Sequence, residues 1–193
     1  MVESKRLKGL KTLREFGLPT PDWQEVAGTA DIGRLNLVDT THGWTIRTCR
    51  SDGRRETGGF FMNNLPPGKV ADVLRGRAQM FEEGEFYIVY PSWKFDMSFN
   101  VILDELTFTV EGKSGSQKGI SVGTEMPEIA LQLPFGMHSR ATVYLGSYTS
   151  AVRARVSRVL SYLKKMPLQR YYTEVAITSE REIFFYEFFP IGG

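Results

Sequence analysis

Two predicted strands near the end of this 193-residue chain constrain its fold more than any other feature. YYTEVAIT (171–178) and EIFFYEFF (182–189) are rich in β-branched and aromatic residues and are separated by a short polar turn. This pattern predicts an antiparallel hairpin. If the hairpin pivots between Glu180 and Arg181, Glu174 and Glu187 lie directly opposite each other on one face.

Two glutamates at opposed positions need an explanation. Cross-strand partners have Cβ atoms about 4.5–5.5 Å apart, where like charges repel. The flanking residues are apolar, which places the carboxylates close to a core: Val175, Ile177, Phe184 and Phe188. Such a pair requires a cation, a shared proton or a basic side chain, and hard oxygen ligands suit Mg²⁺. A register shifted by one residue would instead turn one glutamate to solvent, an ordinary feature of an edge strand.

The rest of the chain predicts an α+β protein. We expect helices at 4–16, 29–37, 67–82 and 149–165, and strands at 23–26, 43–49, 85–92, 98–104 and 106–112, with one more strand after 119–123. Helices dominate the first half and strands the second, which differs from a regular βαβ alternation. We therefore expect one domain of two small lobes, at about 1–84 and 85–193.

Composition excludes several classes of protein. A hydrophobic fraction of 41% and a charged fraction of 24% are typical of a soluble globular protein. Cys49 is the single cysteine and cannot form an intramolecular disulfide, which suits the cytoplasm. The sequence has no apolar run of the roughly 20 residues that span a bilayer. The formal net charge of +2 does not favour a nucleic-acid partner, although local basic clusters could bind phosphate.

Other common chemistries find little support. His42 and His138 are the only histidines, and neither has a nucleophile at a motif spacing. Without a Cys/His cluster, a zinc site is not expected. The glycine-rich segment 51–59 lacks the Walker pattern, so it either covers phosphates with its backbone N–H groups or is a flexible connection.

Five segments, in order, resemble the ATP-binding domain of phosphoenolpyruvate synthase and pyruvate phosphate dikinase, a branch of the ATP-grasp fold. The segments are LKTLREFGLPTPDW (10–23), WTIRTCRSDGRRETGGFF (44–61), IVYPSWKFDMSFNVIL (88–103), TVEGKSGSQKGISVG (109–123) and YYTEVAITSEREIFFYEFFPI (171–191). Together they span nearly the whole chain. The resemblance implies an ATP-grasp-like fold with a nucleotide site between two lobes, and ATP and Mg²⁺ as cofactors.

The resemblance also implies roles for individual residues. Arg47 would contact the nucleotide phosphates as the catalytic guanidinium, and Glu111 would lie near the ribose or adenine. Glu174 and Glu187 match the two metal-binding positions. Three lysines are candidates for contacting phosphate: Lys8, Lys113 and Lys118. Lys8 and Arg6 are alternative candidates for the N-terminal phosphate-binding position.

Departures from the family pattern leave the activity open. Phe189 replaces the terminal arginine and the common ATP-grasp asparagine ligand, and Lys118 replaces the glutamate of Gly-x-Gly-Glu. The Gly-Gly before the N-terminal lysine is absent. The first hypothesis is an ATP·Mg²⁺-dependent phosphotransferase or ligase with an unknown acceptor, which a partner chain could supply. The second is a non-catalytic nucleotide-binding or regulatory module, and the third is a basic structural or nucleic-acid-associated protein.

Overall fold

A computed structural model describes residues 4–51, 59–116, 120, 123–135, 140–167 and 169–192. The chain divides into two compact units. The first unit comprises Met1–Lys8 and Pro21–Lys94, and the second comprises Gly9–Thr20 and Phe95–Gly193. In the part of the chain that the structure describes, no helix is both long and apolar enough to cross a bilayer.

The first unit is a four-stranded antiparallel sheet with short helices. Its strands β1 (Gln24–Val26), β2 (Trp44–Arg50), β3 (Phe61–Leu65) and β4 (Glu85–Pro91) lie in the order β1-β4-β2-β3. The helices are α2 (Thr29–Ile32), α3 (Pro67–Arg75) and α4 (Ala78–Glu82), and α1 (Lys5–Glu15) begins here. Alternate residues of β2 face α3, because side chains two apart along a strand share a face. The buried core is Val26, Ile32, Trp44, Ile46, Val70, Leu74, Tyr87 and Val89.

Three expectations for this unit need correction. The helix expected at 29–37 ends at Ile32, where Gly33 forms its C-cap. The helix expected at 67–82 is two helices, because α3 ends at Arg75 with Gly76 as its C-cap. The first unit extends to Lys94 rather than to about residue 84, because β4 pairs with both β1 and β2.

The second unit is a six-stranded antiparallel sheet with one long helix. Its strands are β5 (Phe95–Asp104), β6 (Thr107–Ser114), β7 (Ile129–Pro134), β8 (Thr142–Leu145), β9 (Tyr171–Thr178) and β10 (Ile183–Pro190), in the order β10-β9-β5-β6-β7-β8. Helix α5 (Ser150–Leu163) matches the helix expected at 149–165. Its N-cap is Thr149, whose hydroxyl accepts a hydrogen bond from the Val152 N–H at 3.3 Å.

The two faces of this sheet differ in chemistry. One face packs against the apolar stripe of α5 and forms the larger core, with Phe99, Val101, Val110, Val175 and Phe185 fully or almost fully buried. The alternate residues of the same strands face the other side and include most of the polar side chains of the sheet. The functional candidates of this unit lie on that second face.

Helix α1 lies directly against the backbone of β10. A Cβ atom at Gly9 would come within 2.5 Å of the Phe188 carbonyl oxygen, so only glycine allows this approach. The close packing positions the strand that carries Glu187.

Candidate functional site

Four polar side chains form one row across the second face of the six-stranded sheet. Glu187 pairs with Glu174, Glu174 pairs with Asn100, and Asn100 pairs with Glu111. Directly opposed residues of neighbouring strands point to the same face and lie about 5 Å apart. We call these four residues the polar row. The structure thus brings together three of the residues that the sequence singled out and adds Asn100.

Most of the polar row is buried. The exposed fraction is 3% for Glu187, 9% for Glu174 and 6% for Asn100, whereas Glu111 is half-buried. Burying a carboxylate is unfavourable unless hydrogen bonds or opposite charge stabilise it. The row therefore places adjacent acidic groups where water screens them little.

The predicted pairing of Glu174 with Glu187 is confirmed, although the hairpin is less symmetric than expected. Near the turn, Ile183 pairs with Ile177 and Phe185 pairs with Val175, a register one residue away from the predicted one. An irregularity between Phe185 and Glu187 then shifts the ladder by one residue. This β-bulge restores the register that aligns the two glutamates.

The side chains beside the pair are aromatic. The Tyr172 hydroxyl donates a hydrogen bond of 2.7 Å to Glu174 Oε1. Phe189 pairs with Tyr172 across the strands, and their rings stack with centroids 6.2 Å apart and planes 16° apart. Phe189 therefore fills the position two residues after Glu187 with a ring, and no oxygen ligand is available from that side chain.

Two lysines were expected near the turn after β6, and one of them, Lys113, lies within the described residues. Lys113 follows Glu111 by two residues on the same strand, and its ammonium forms an ion pair with Glu125. The same turn is closed by Glu128 Oε2, which accepts hydrogen bonds from the Ser114 N–H at 3.1 Å and hydroxyl at 2.7 Å. Lys118 lies outside the described residues, as does most of the segment 51–59. A phosphate contact by Lys113 would require its ammonium to exchange partners.

The remaining basic candidates lie in the first unit. Arg47 is in the middle of β2, half-buried, with its guanidinium 5.8 Å from the centre of the Phe61 ring. Lys8 is exposed on α1. Arg6, the alternative candidate, is buried, and its guanidinium donates to the Thr48 carbonyl oxygen. Lys8 is therefore the more accessible of the two cations for a ligand.

A shallow depression of about 610 Å³ also lies in the first unit. Trp93 lines it, and the Trp93 ring stacks on Tyr90, with centroids 6.0 Å apart and planes 20° apart. Its lining combines aromatic, basic, acidic and hydroxyl groups: Asp39, Thr40, Thr41, His42, Gly43, Asn64, Pro66, Pro67, Trp93 and Lys94. It includes none of the residues that the sequence analysis selected for nucleotide or metal binding.

The donor atoms of the polar row fit a magnesium ion. Mg²⁺ prefers oxygen ligands and is usually held by one or two carboxylates, with waters and substrate phosphates completing its shell. Glu174 and Glu187 supply two neighbouring carboxylates, and the row offers amide oxygen at Asn100. Within the described residues, no group of three or more His, Cys, Asp or Glu side chains is placed to hold a metal by itself. The arrangement therefore suits a cation that a nucleotide also binds.

Asn100 is the residue that the sequence analysis missed. The signal was present in β5, where Ser98 and Asn100 alternate with the apolar Phe99 and Val101. This period-two pattern places Asn100 on a polar face. Its alignment with Glu174 depends on the long-range pairing of β5 with β9, which the sequence did not indicate.

The fold is similar to that of several ligases of known structure. N5-carboxyaminoimidazole ribonucleotide synthetase in its ADP complex matches with a TM-score of 0.57 and 15% identity, over 99% of this chain and 45% of that chain. The macrocyclase MdnC from Microcystis aeruginosa, bound to its precursor peptide MdnA, matches with a TM-score of 0.53 and 12% identity, over 97% of this chain and 52% of that chain. D-alanine-D-alanine ligase from Helicobacter pylori matches with a TM-score of 0.51 and 13% identity, over 99% of this chain and 51% of that chain.

These matches show that the chain has an α+β fold of the ATP-grasp type. The chain spans about half the length of these solved structures. No protein-family model matches the chain, and no curated protein matches its sequence. The predicted ATP-grasp fold is confirmed, whereas the resemblance to the phosphoenolpyruvate synthase branch stays a prediction.

Proposed function

We propose that this chain binds ATP together with Mg²⁺ and transfers the γ-phosphoryl group to an acceptor, as the activating step of an ATP-dependent ligation or phosphotransfer. The observation that carries the proposal is the buried pairing of Glu174 with Glu187 on one face of an ATP-grasp sheet. Solved structures of this fold include ligases, and one of them binds ADP. Both points support a nucleotide as the ligand.

Each candidate residue has a proposed role. Glu174 and Glu187 would hold the cation, which supplies positive charge to the phosphate oxygens when bound. Tyr172 keeps Glu174 oriented through its 2.7 Å hydrogen bond. Arg47 would offset phosphate charge, because a guanidinium fork binds phosphate oxygens bidentately. Lys8, Lys113 and Lys118 are further phosphate contacts, and Glu111 would accept hydrogen bonds from ribose or adenine.

The acceptor is the open part of the proposal. The ligases of similar fold differ in what they join, since one acts on a peptide precursor and another on D-alanine. We further propose that a partner protein provides the acceptor. We also propose that the protein is located in the cytoplasm, as predicted from the sequence.

A second candidate function is a nucleotide-binding module without catalysis. The stack of Phe189 on Tyr172 favours it, because a ring takes the position at which the ATP-grasp resemblance expects a ligand or a cation. Losing one group that stabilises transition-state charge can cost about 3–4 kcal/mol. Such a module would bind ATP and Mg²⁺ and would release ADP no faster than the uncatalysed background.

Calorimetry with ATP, with and without Mg²⁺, tests nucleotide binding. We expect the wild type to bind ATP more tightly with Mg²⁺ than without it. In the presence of Mg²⁺, Glu187→Gln should bind ATP at least about tenfold more weakly than the wild type. Glu182→Gln is the matched control, because Glu182 is an exposed glutamate in the same hairpin. Absence of ATP binding under both conditions would exclude both candidate functions. Release of labelled ADP above background, with candidate carboxylates as acceptors, then separates an enzyme from a binding module.

A further inference from the structure

We propose that Asn100 is the third protein ligand of the cation held by Glu174 and Glu187, so that its amide oxygen compensates for the missing oxygen at Phe189. The inference rests on the proposed function and adds a residue to the same site. The polar row is chemically asymmetric, because it contains three carboxylates and one neutral amide. The amide lies between Glu174 and Glu111 rather than at an end of the row.

Position and reach support this assignment. Asn100 is the direct cross-strand partner of Glu174, so their side chains leave the sheet side by side. Glu187 lies two strands from Asn100, a separation of about 10 Å. Asn100 and Glu187 can contact one cation when both side chains are nearly fully extended across the row, with metal–oxygen distances of about 2.1 Å.

The neighbours of Asn100 on the same face of β5 do not lie opposite Glu174. Ser98 pairs with Ala176, and Ile102 pairs with Tyr172. The Ser98 hydroxyl donates a hydrogen bond of 2.5 Å to the Gly115 carbonyl oxygen. Ile102 has no ligand atom, and Asp104 forms an exposed ion pair with Arg170 at 2.8 Å. Asn100 is 6% exposed, which is low for a residue type that is mostly exposed. A buried amide oxygen beside a carboxylate is a suitable hard, neutral ligand for Mg²⁺.

The aromatic pair beside the two glutamates lies along the strand direction, where Phe189 pairs with Tyr172 on the same face. The Tyr172 hydroxyl already donates to Glu174, so that direction is apolar apart from one donor. Across the sheet, the neutral oxygen-bearing side chain directly beside Glu174 is Asn100 on β5.

Asn100 has one competing role, in which its NH₂ group donates hydrogen bonds to neighbouring carboxylates. The two roles respond differently to Asn100→Asp. Aspartate keeps an oxygen at the same position and can still bind a cation, but it cannot donate and adds negative charge beside Glu174. A ligand role therefore survives this substitution, whereas a donor role does not.

The experiment uses Mn²⁺ as a paramagnetic stand-in for Mg²⁺ and measures its affinity for the protein–ATP complex by electron paramagnetic resonance. We expect Asn100→Ala to weaken Mn²⁺ binding at least about tenfold. Asn100→Asp should bind Mn²⁺ as tightly as the wild type or more tightly. The matched control is Gln132→Ala, an amide on the same sheet face in β7 that bonds with Thr109 and Tyr144. This control should leave the affinity unchanged.

Three outcomes would overturn the proposal. Unchanged Mn²⁺ affinity in Asn100→Ala, while Glu187→Gln loses it, would show that Asn100 is not a ligand and leave the proposed function intact. Equal losses in Asn100→Ala and Asn100→Asp would assign Asn100 a donor role. Wild-type protein that binds no ATP would refute the proposed function and this inference together. Circular-dichroism melting checks that each variant folds, and Asn100→Leu, which is close to asparagine in shape and has no ligand oxygen, replaces Asn100→Ala if alanine prevents folding.

Discussion

Each unit contains a group of buried or half-buried charged side chains, and the two groups are arranged in opposite ways. In the first unit, Glu85 accepts hydrogen bonds from Arg50 at 3.0 Å, Arg77 at 3.1 Å and Tyr87 at 2.8 Å. We call these four residues the Glu85 cluster. In the second unit, the polar row aligns three carboxylates and one amide on adjacent strands. One carboxylate faces two guanidinium groups, whereas the others have carboxylate or amide neighbours.

This difference agrees with the proposal that the polar row binds a ligand and that the Glu85 cluster stabilises the fold. The Glu85 cluster combines opposite charges with complementary donors and acceptors, and the Arg77 guanidinium also lies 4.3 Å from the centre of the Phe60 ring. Such a network stabilises the fold around it. Aligned carboxylates destabilise a sheet, so a site of this kind is expected where ligand binding compensates for the repulsion. Substitutions in the two groups should therefore change stability in opposite directions.

The largest expected effect is a loss of stability in Glu85→Ala. Removing this carboxylate leaves Arg50 and Arg77 without their shared partner at side-chain exposures of only 15% and 25%. Breaking a buried ion pair by removing one member costs about 3–5 kcal/mol, and the partial exposure here favours the lower end. Urea denaturation measures the change, with Glu83→Ala as an exposed control. A loss below about 1 kcal/mol would mean that the cluster behaves like a surface ion pair.

Tyr87→Phe should cost less and should change the response to pH. Losing the two hydrogen bonds of the phenol costs about 1–2 kcal/mol near neutral pH. Burial raises the pKa of Tyr87 from its ordinary value to about 12, against the opposing effect of Arg77. Because the unfolded chain loses this proton near pH 10, the stabilisation is complete below pH 10 and is lost as pH rises toward 12.

The difference between wild type and Tyr87→Phe isolates that contribution. Burial also raises the pKa of Tyr171, so both proteins should lose stability at alkaline pH. The wild type should lose more between pH 9 and pH 11.5, as denaturation at several pH values would show. Parallel pH curves for the two proteins would contradict the assignment of a raised pKa to Tyr87.

The smallest effect on stability is expected in the polar row. Glu187→Gln removes one of two opposed charges while keeping the shape, so the metal-free protein should be unchanged or more stable by up to about 1 kcal/mol. The same variant should no longer gain melting temperature when ATP and Mg²⁺ are added together. Thermal melts with and without both ligands measure the two effects. A variant that melts well below the wild type without ligand would place Glu187 among the structural residues and remove the contrast between the units.

Short-range patterns in the sequence predicted the helices and strands better than they predicted which strands pair with each other. The apolar stripe of α5 and the alternation in β9 and β10 are local signals, and the helix and hairpin form where they were expected. Strand β3 was missed because its sequence, FMNNL, has no alternation of polar and apolar residues, and most of it is exposed. The break between α3 and α4 was missed although Gly76, which forms the C-cap of α3, is a local signal for the end of a helix.

The candidate site was predicted in part for the same reason. Glu174 and Glu187 are close in sequence, so a hairpin argument could pair them. Asn100 and its partner Glu111 join the two glutamates only through the pairing of Asn100 with Glu174, which are 74 residues apart in the sequence. Roles for Arg47, Lys8 and Lys113 depend on a bound nucleotide and remain predictions. Long-range register, rather than residue type, was the information that a single sequence lacked.

The bulge in β10 has a consequence for how this protein can vary in length. The ladder has one register between the turn and Phe185 and another from Glu187 onward, with Tyr186 as the additional residue. Deleting Tyr186 would leave a regular hairpin in which the glutamate still faces Glu174. In most strands a one-residue deletion moves every later side chain to the opposite face. Homologous chains could therefore differ by one residue here and retain the same carboxylate pair, so an alignment of this strand should allow a gap before Glu187.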